Sequence, residues 1–155
     1  MSATDSATDS ATRWQELIID HSQFPRRRGC LEHASHQASG ENPLCGDRVR
    51  LYLEMDEQGL IRDARFEATG CAISLASASM LAAALPGRSR AQALELFSEV
   101  HGLLTGARWR GAQAPGELEA LGLVARFPLR VKCATLSWHV LRQALEGGST
   151  TVTTE

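Results

Sequence analysis

The sequence predicts an α+β fold in which a small antiparallel three-stranded sheet packs against helices, and three observations carry that expectation. Val49, Leu51, Leu53 and Met55 alternate with Arg48, Arg50, Tyr52 and Glu54, which is the period of a half-buried strand. Asp56-Glu57-Gln58-Gly59 turns that strand into a second one, where Ala64, Phe66 and Ala68 share a face. From Ala72 onward the chain becomes alanine-rich and helical, and strands first with helices afterwards define the α+β class.

Each element has its own local signal. Trp14, Leu17, Ile18 and His21 recur at helical spacing, and Phe24-Pro25 ends that first helix because proline disfavours helical backbone before it. The basic run Arg26-Arg27-Arg28-Gly29 follows as a loop. A weaker strand near Ala34 to Ser39 adds to the sheet edge, and the hairpin of the two longer strands makes the sheet antiparallel. The helix from Ala72 to Leu85 stops at Pro86-Gly87, and another spans about Arg90 to Leu104. A connector containing glycine and proline, with a short helix near Glu117, leads to a last helix from about Val131 to Glu146.

At 155 residues the chain fits one domain with a core that needs no disulfide staples. Residues 1–12 repeat Ser-Ala-Thr-Asp without a large apolar side chain and are expected to form a disordered leader. The domain is expected over 13–146, and residues 147–155 form a polar, glycine-led, flexible tail. The four cysteines are spread through a chain with no amino-terminal apolar signal segment, so reduced thiols in a cytoplasmic protein are expected rather than a secreted disulfide framework. No apolar run approaches the roughly 18 residues of a membrane span. A net charge of −2 gives no general pull toward nucleic acid.

Cys45, Asp47, Cys71 and Cys133 are a spaced set of donors that zinc accepts, since three thiols and a carboxylate can close a tetrahedral shell. Cys45-Gly46-Asp47 lies in the loop before the first long strand, and Cys71 ends the second and opens the alanine-rich helix. A hairpin sets the start of one strand beside the end of the next, which brings Cys45, Asp47 and Cys71 to one end of the sheet. Cys133 joins them if the last helix packs its first turn there. Cys71 and Cys133 would then both sit at helix amino-termini, where the dipole favours thiolate. Arg130 and Lys132 flank Cys133 and offer cations to a negatively charged site. An aspartate oxygen is a harder, more exchangeable ligand than a fourth thiolate, so the set looks built to release one ligand. Spacing alone leaves equal room for three ordinary buried cysteines and a turn aspartate, because no ligand pair has the CxxC form.

Three motifs in order narrow that choice: Asn42-Pro43-Leu44-Cys45-Gly46-Asp47, then Gly70-Cys71-Ala72-Ile73-Ser74-Leu75-Ala76-Ser77-Ala78-Ser79-Met80, then Lys132-Cys133-Ala134-Thr135-Leu136-Ser137-Trp138. Together they resemble the SufU branch of the NifU/IscU-like iron-sulfur assembly proteins, and the resemblance implies a SufE/NifU-like fold. It begins at Ile19-Asp20-His21, continues through Pro25-Arg26-Arg27-Arg28-Gly29 and covers nearly the whole domain. Scaffold-type IscU members carry a histidine immediately before the third cysteine, where this chain has Lys132. The stretch between Cys71 and Cys133, which holds Ser98-Glu99-Val100-His101-Gly102, is also longer, as in SufU-like proteins.

By that resemblance Cys45, Asp47, Cys71 and Cys133 bind Zn2+. The protein would then be a zinc-dependent sulfurtransferase that accepts persulfide sulfur from a PLP-dependent cysteine desulfurase of the SufS type and passes it to downstream iron-sulfur assembly machinery. Cys45 is the expected acceptor, because its loop between Pro43 and Gly46 is more mobile and exposed than a helix start, and the resemblance gives it the same role. Two alternatives stand beside this reading. One is a scaffold on which a transient [2Fe-2S] cluster forms on the same ligands, and the other is a structural zinc domain with an interaction role.

The remaining conspicuous residues are given ordinary roles. Cys30 lies outside the motifs and is read as a bystander, and His21, His33, His36, His101 and His139 as surface or hydrogen-bonded structural histidines. Arg26-Arg27-Arg28 is read as a solvated loop, with docking on an acidic partner surface as its functional alternative. Ala76, Ser77, Ala78 and Ser79 are expected to let two helices approach closely, and Trp138 to pack the last helix into the core.

Overall fold

The computed structural model describes residues 3–147 and 151–153. Alternating side chains build its sheet: β1 (His36–Asn42), β2 (Asp47–Met55) and β3 (Ile61–Thr69) pair antiparallel with β2 in the middle. Val49, Leu51 and Leu53 are buried with Ala64, Phe66 and Ala68, so one face of the sheet is the core face. The turn between β2 and β3 is held by Asp56, whose Oδ1 accepts from the backbone N–H of Gln58 and of Leu60 at 2.9 Å.

The helices cover that core face. α1 (Ala3–Gln23) packs on α2 (Ala72–Ala84), and α2 in turn lies against α4 (Pro128–Leu145) and β3. Every residue from Ala76 to Ala82 in α2 is buried, as befits a helix with neighbours all round. α3 (Arg90–Leu104) opens with a capping box in which Ser89 and Gln92 satisfy each other's backbone N–H groups. A 3₁₀ segment (Gly116–Arg126) then leads into α4. Among the described residues no helix is long and apolar enough to cross a membrane.

The small residues of α2 allow the close approach expected of them. Ser77 Oγ donates to the Ala134 carbonyl at 2.6 Å and accepts from the indole N–H of Trp138 at 3.0 Å. Trp138 is thereby buried without an orphaned donor. His21 is also buried, between Ser79 Oγ at 2.7 Å and Glu117 Oε2 at 2.9 Å, which ties α1 to α2 and to the 3₁₀ segment.

Three local features differ from the expectation. α1 starts at Ala3, inside the stretch read as a disordered leader, because alanines recur there and neither glycine nor proline interrupts the turns. Residues 1, 2, 148–150, 154 and 155, which carry the rest of the leader and tail expectations, lie outside the described residues. Thr151–Thr153 forms β4, parallel to β1 along Ser39 to Glu41, so part of the expected flexible tail supplies a partner for an open sheet edge. The arginine run is engaged within the chain: Arg26 pairs with Asp20, Arg27 reaches Asp63 Oδ1 at 2.8 Å, and the Gly29 N–H donates to the Phe66 carbonyl at 2.8 Å. Its backbone therefore lies along the free edge of β3, while the Arg26 and Arg27 side chains remain more than a third exposed.

Candidate metal centre

The register of the sheet assembles the centre. Asn42 pairs with Asp47 across β1 and β2, so Pro43-Leu44-Cys45-Gly46 is the tip of a tight hairpin. Asn42 is buried and organises that tip: its carbonyl accepts from the N–H of Cys45 at 3.2 Å and of Gly46 at 2.8 Å, and its Oδ1 accepts from Leu44 at 3.3 Å. Gly46 takes φ 71°, the left-handed backbone that brings the chain back into β2. Cys45 is consequently exposed, while Asp47 at the root of β2 is fully buried.

On the neighbouring strand Arg48 pairs with Thr69, which sets Asp47 beside Gly70-Cys71. Asp47 Oδ1 accepts the Cys71 N–H at 2.9 Å, and its Oδ2 lies 4.0 Å from Cys71 Sγ. Gly70 makes this approach possible: at φ 143°, a Cβ there would stand 2.1 Å from Asp47 Oδ1. Cys71 is the N-cap of α2, and its sulfur accepts the Ser74 N–H at 3.4 Å. The expectation that Cys71 opens this helix agrees with the geometry.

Cys133 arrives from α4, and here the expectation is corrected. Pro128 opens α4 earlier than predicted, so Cys133 lies five residues further on, in the second turn, away from the strongest part of the helix dipole. Burial pushes its thiol up from the ordinary range, and hydrogen bonding with Asp47, Cys45 and Cys71 adds to that shift. Without a metal ion this environment favours the protonated thiol of Cys133. Its Sγ is nevertheless 3.5 Å from Cys45 Sγ.

The donor atoms of Cys45, Asp47 and Cys133 all lie within 4.8 Å of one another. Cys71 stands at the edge of this group, reaching Asp47 and Cys133 but falling outside the mutual set. Zinc bonds of about 2.3 Å to sulfur and about 2.0 Å to oxygen make tetrahedral edges of about 3.5–3.8 Å. The donor set therefore fits such an ion with a small adjustment of the Cys71 side chain. Asp47 is already oriented as an outer-shell contact would orient it, with one oxygen held by backbone and the other turned to the thiols.

No histidine joins a metal-capable group among the described residues, and Cys30 is exposed and apart from the set. His101 and His139 instead pack around Phe97, with ring centroids 5.9 and 5.4 Å from it. Asn42 and Gly70 are the contributors whose roles the sequence reading missed. The Asn-Pro step is a recognisable turn signal, whereas the need for glycine at 70 follows only from strand register.

The family profile described as NifU-like N terminal domain matches residues 13–147. The zinc-dependent sulfurtransferase SufU of Bacillus subtilis (strain 168) is 39% identical over 141 residues, covering 89% of this chain and 95% of that protein. The iron-sulfur cluster assembly scaffold protein IscU of Streptococcus pyogenes serotype M1 is 36% identical over 133 residues, covering 86% of this chain and 82% of the other. Among solved structures, one described as an iron-sulfur cluster assembly scaffold protein for the SUF system, from Fervidobacterium islandicum AW-1, matches with a TM-score of 0.78 and 34% identity, over 84% of this chain and 94% of the other. On sequence and fold together, this chain belongs to the NifU-like N terminal domain family.

Proposed function

We propose that the protein is a zinc-dependent sulfur-transfer protein of iron-sulfur cluster assembly, with Cys45 as the sulfur acceptor. The observation that carries this reading is the unequal footing of the donors: Cys45 sits on an exposed hairpin tip, whereas Asp47 and Cys133 are buried and Cys71 caps a helix. The similarity to a protein named a zinc-dependent sulfurtransferase supports it.

In this reading Cys45, Asp47, Cys71 and Cys133 hold zinc, which when bound supplies a Lewis acid that keeps the thiols ionised. The Cys45 side chain is the one free to turn outward. Its thiolate attacks the outer sulfur of a persulfide on a PLP-dependent cysteine desulfurase, a partner of the SufS type. A new sulfur–sulfur bond forms at Cys45 Sγ, the donor's sulfur–sulfur bond breaks, and the electron pair leaves with the donor's cysteine thiolate. No net oxidation occurs, and the persulfide on Cys45 is then available to downstream assembly machinery.

Persulfide mapping by mass spectrometry after turnover with the desulfurase should find the added sulfur on Cys45, and Cys45→Ala should abolish stimulation of the desulfurase. Sulfur found only on Cys71 or Cys133 would move the acceptor role away from Cys45, and undiminished stimulation by the alanine variant would leave a structural zinc domain. The IscU relative favours a second reading, a scaffold that carries a [2Fe-2S] cluster as cargo on the same donors. Anaerobic purification separates the two. Stoichiometric, colourless zinc supports transfer, and a labile iron-sulfur chromophore supports the scaffold.

A further inference from the structure

A trough runs between α1 and the 3₁₀ segment, outside the donor set. One part is a cavity of about 380 Å³ walled by Ile18, Ile19, Ile73, Val124 and Phe127, and Ala72, the neighbour of Cys71, also lines it. The other part, about 510 Å³, is bounded by Trp14, Leu103 and Trp109. Leu123 and Arg126 line both, so the two cavities are stretches of one surface. Large apolar side chains stand open on its rim, with Ile19 45% and Phe127 61% exposed. Contiguous apolar surface of this kind on a soluble domain marks a binding site more often than isolated exposed residues do.

The charge along the trough is one-sided. Arg126 and Arg130 line the first part, Arg108 and Arg126 the second, and Glu119 is the single acidic residue among the described lining. None of these three guanidiniums has a hydrogen-bond or ion-pair partner among the described residues, although other arginines of the chain do. On a chain with net charge −2, three unpaired arginines around one apolar floor are a local reversal of sign. Apolar surface supplies affinity and a basic rim selects acidic partners. The α1 side of the trough presents Ala11, Gln15, Ile18 and Ser22, the spacing of a single helix face, which suits a second helix laid alongside.

We propose that this trough is a docking surface for an amphipathic helix of a partner protein, with an apolar stripe against Ile19, Leu123 and Phe127 and acidic side chains against Arg108, Arg126 and Arg130. The inference does not depend on the sulfur-transfer reading, because it uses neither the thiols nor a metal.

The test uses the full chain and two synthetic helical peptides with leucines at i, i+3, i+4 and i+7, one flanked by glutamates and the other by lysines. Trp14 and Trp109 line the trough while Trp138 is buried in the core, so tryptophan fluorescence reports the seating. The glutamate peptide should give a saturable change that weakens with salt, and the lysine peptide should bind about tenfold or more weakly. The Arg108→Glu/Arg126→Glu variant should invert that preference, and Phe127→Asp should weaken both peptides. Circular dichroism and metal content of both variants should match the parent. Equal affinity for the two peptides, binding of neither, or an unaltered preference in the double variant would overturn the proposal. So would a concentration-dependent dimer whose formation buries Trp14 and Trp109, because the occupant would then be a second copy of the chain.

Discussion

At Asp47 one carboxylate does two jobs that the two oxygens divide between them. Oδ1 accepts the Cys71 N–H, and Oδ2 faces the thiols, an arrangement possible only because residue 70 lacks a Cβ. Gly70→Ala should therefore lower stability by at least about 2 kcal/mol, combining strained backbone with displacement of Asp47, and should weaken metal binding in the same variant. Gly59→Ala is the control: its φ is 82° but no atom lies within 4 Å of the added methyl, so it should cost backbone strain alone and leave metal binding intact. Thermal melting with metal titration checks both variants. The meeting of Cys45, Asp47 and Cys133 was foreshadowed in the sequence because thiols and carboxylates declare themselves as candidate donors. The role of Gly70 was not, because the clash it avoids involves a residue on another strand.

The elements repeat this division. Hairpin pairing, the Ala72 start of α2 and the bounds of α3 followed from periodicity and from turn and cap signals, all of which are local. The beginning of α4 did not, since Phe127-Pro128 reads equally as a loop proline or as proline in a first helical turn. That shift of a few residues moves Cys133 from a helix start to a buried second turn and changes the sign of its pKa argument. With its thiol raised above the ordinary value of 9.0, Cys133 contributes to metal-free stability fully below that value and loses the contribution as pH climbs toward the raised one. The metal-free protein should thus lose melting temperature at alkaline pH more steeply than a Cys133→Ser variant. Metal binding should show the opposite trend, strengthening with pH and releasing protons, which calorimetry in buffers of different ionisation enthalpy will register.

At the scale of the whole molecule, the core is built by the sheet, α2 and α4 without any help from an ion: Leu51, Leu53, Phe66, Leu81, Leu136 and Trp138 are all buried well away from solvent. Structural zinc is worth about 10–16 kcal/mol in peptides that have no other core. Here chelation should lower the melting temperature while leaving the far-ultraviolet circular dichroism largely unchanged, and an unaltered melting curve would contradict a tightly held ion. The α+β architecture was legible because strands and helices occupy separate stretches of the chain. The helical start at Ala3 and the pairing of β4 were not, because polar segments of low complexity carry little periodic signal and β4 depends on an edge supplied by a distant strand.

The meeting of Cys45 and Cys133 also has a consequence for the order of biosynthesis. The two sulfurs touch across 88 residues of chain. During translation Cys45, Asp47 and Cys71 emerge and the hairpin can close long before α4 exists. A nascent chain therefore offers an incomplete set of candidate donors, and Cys133 arrives only when α4 docks on β1–β3 and α2. Acquisition of the full candidate set is thus a late event that reports the docking of α4.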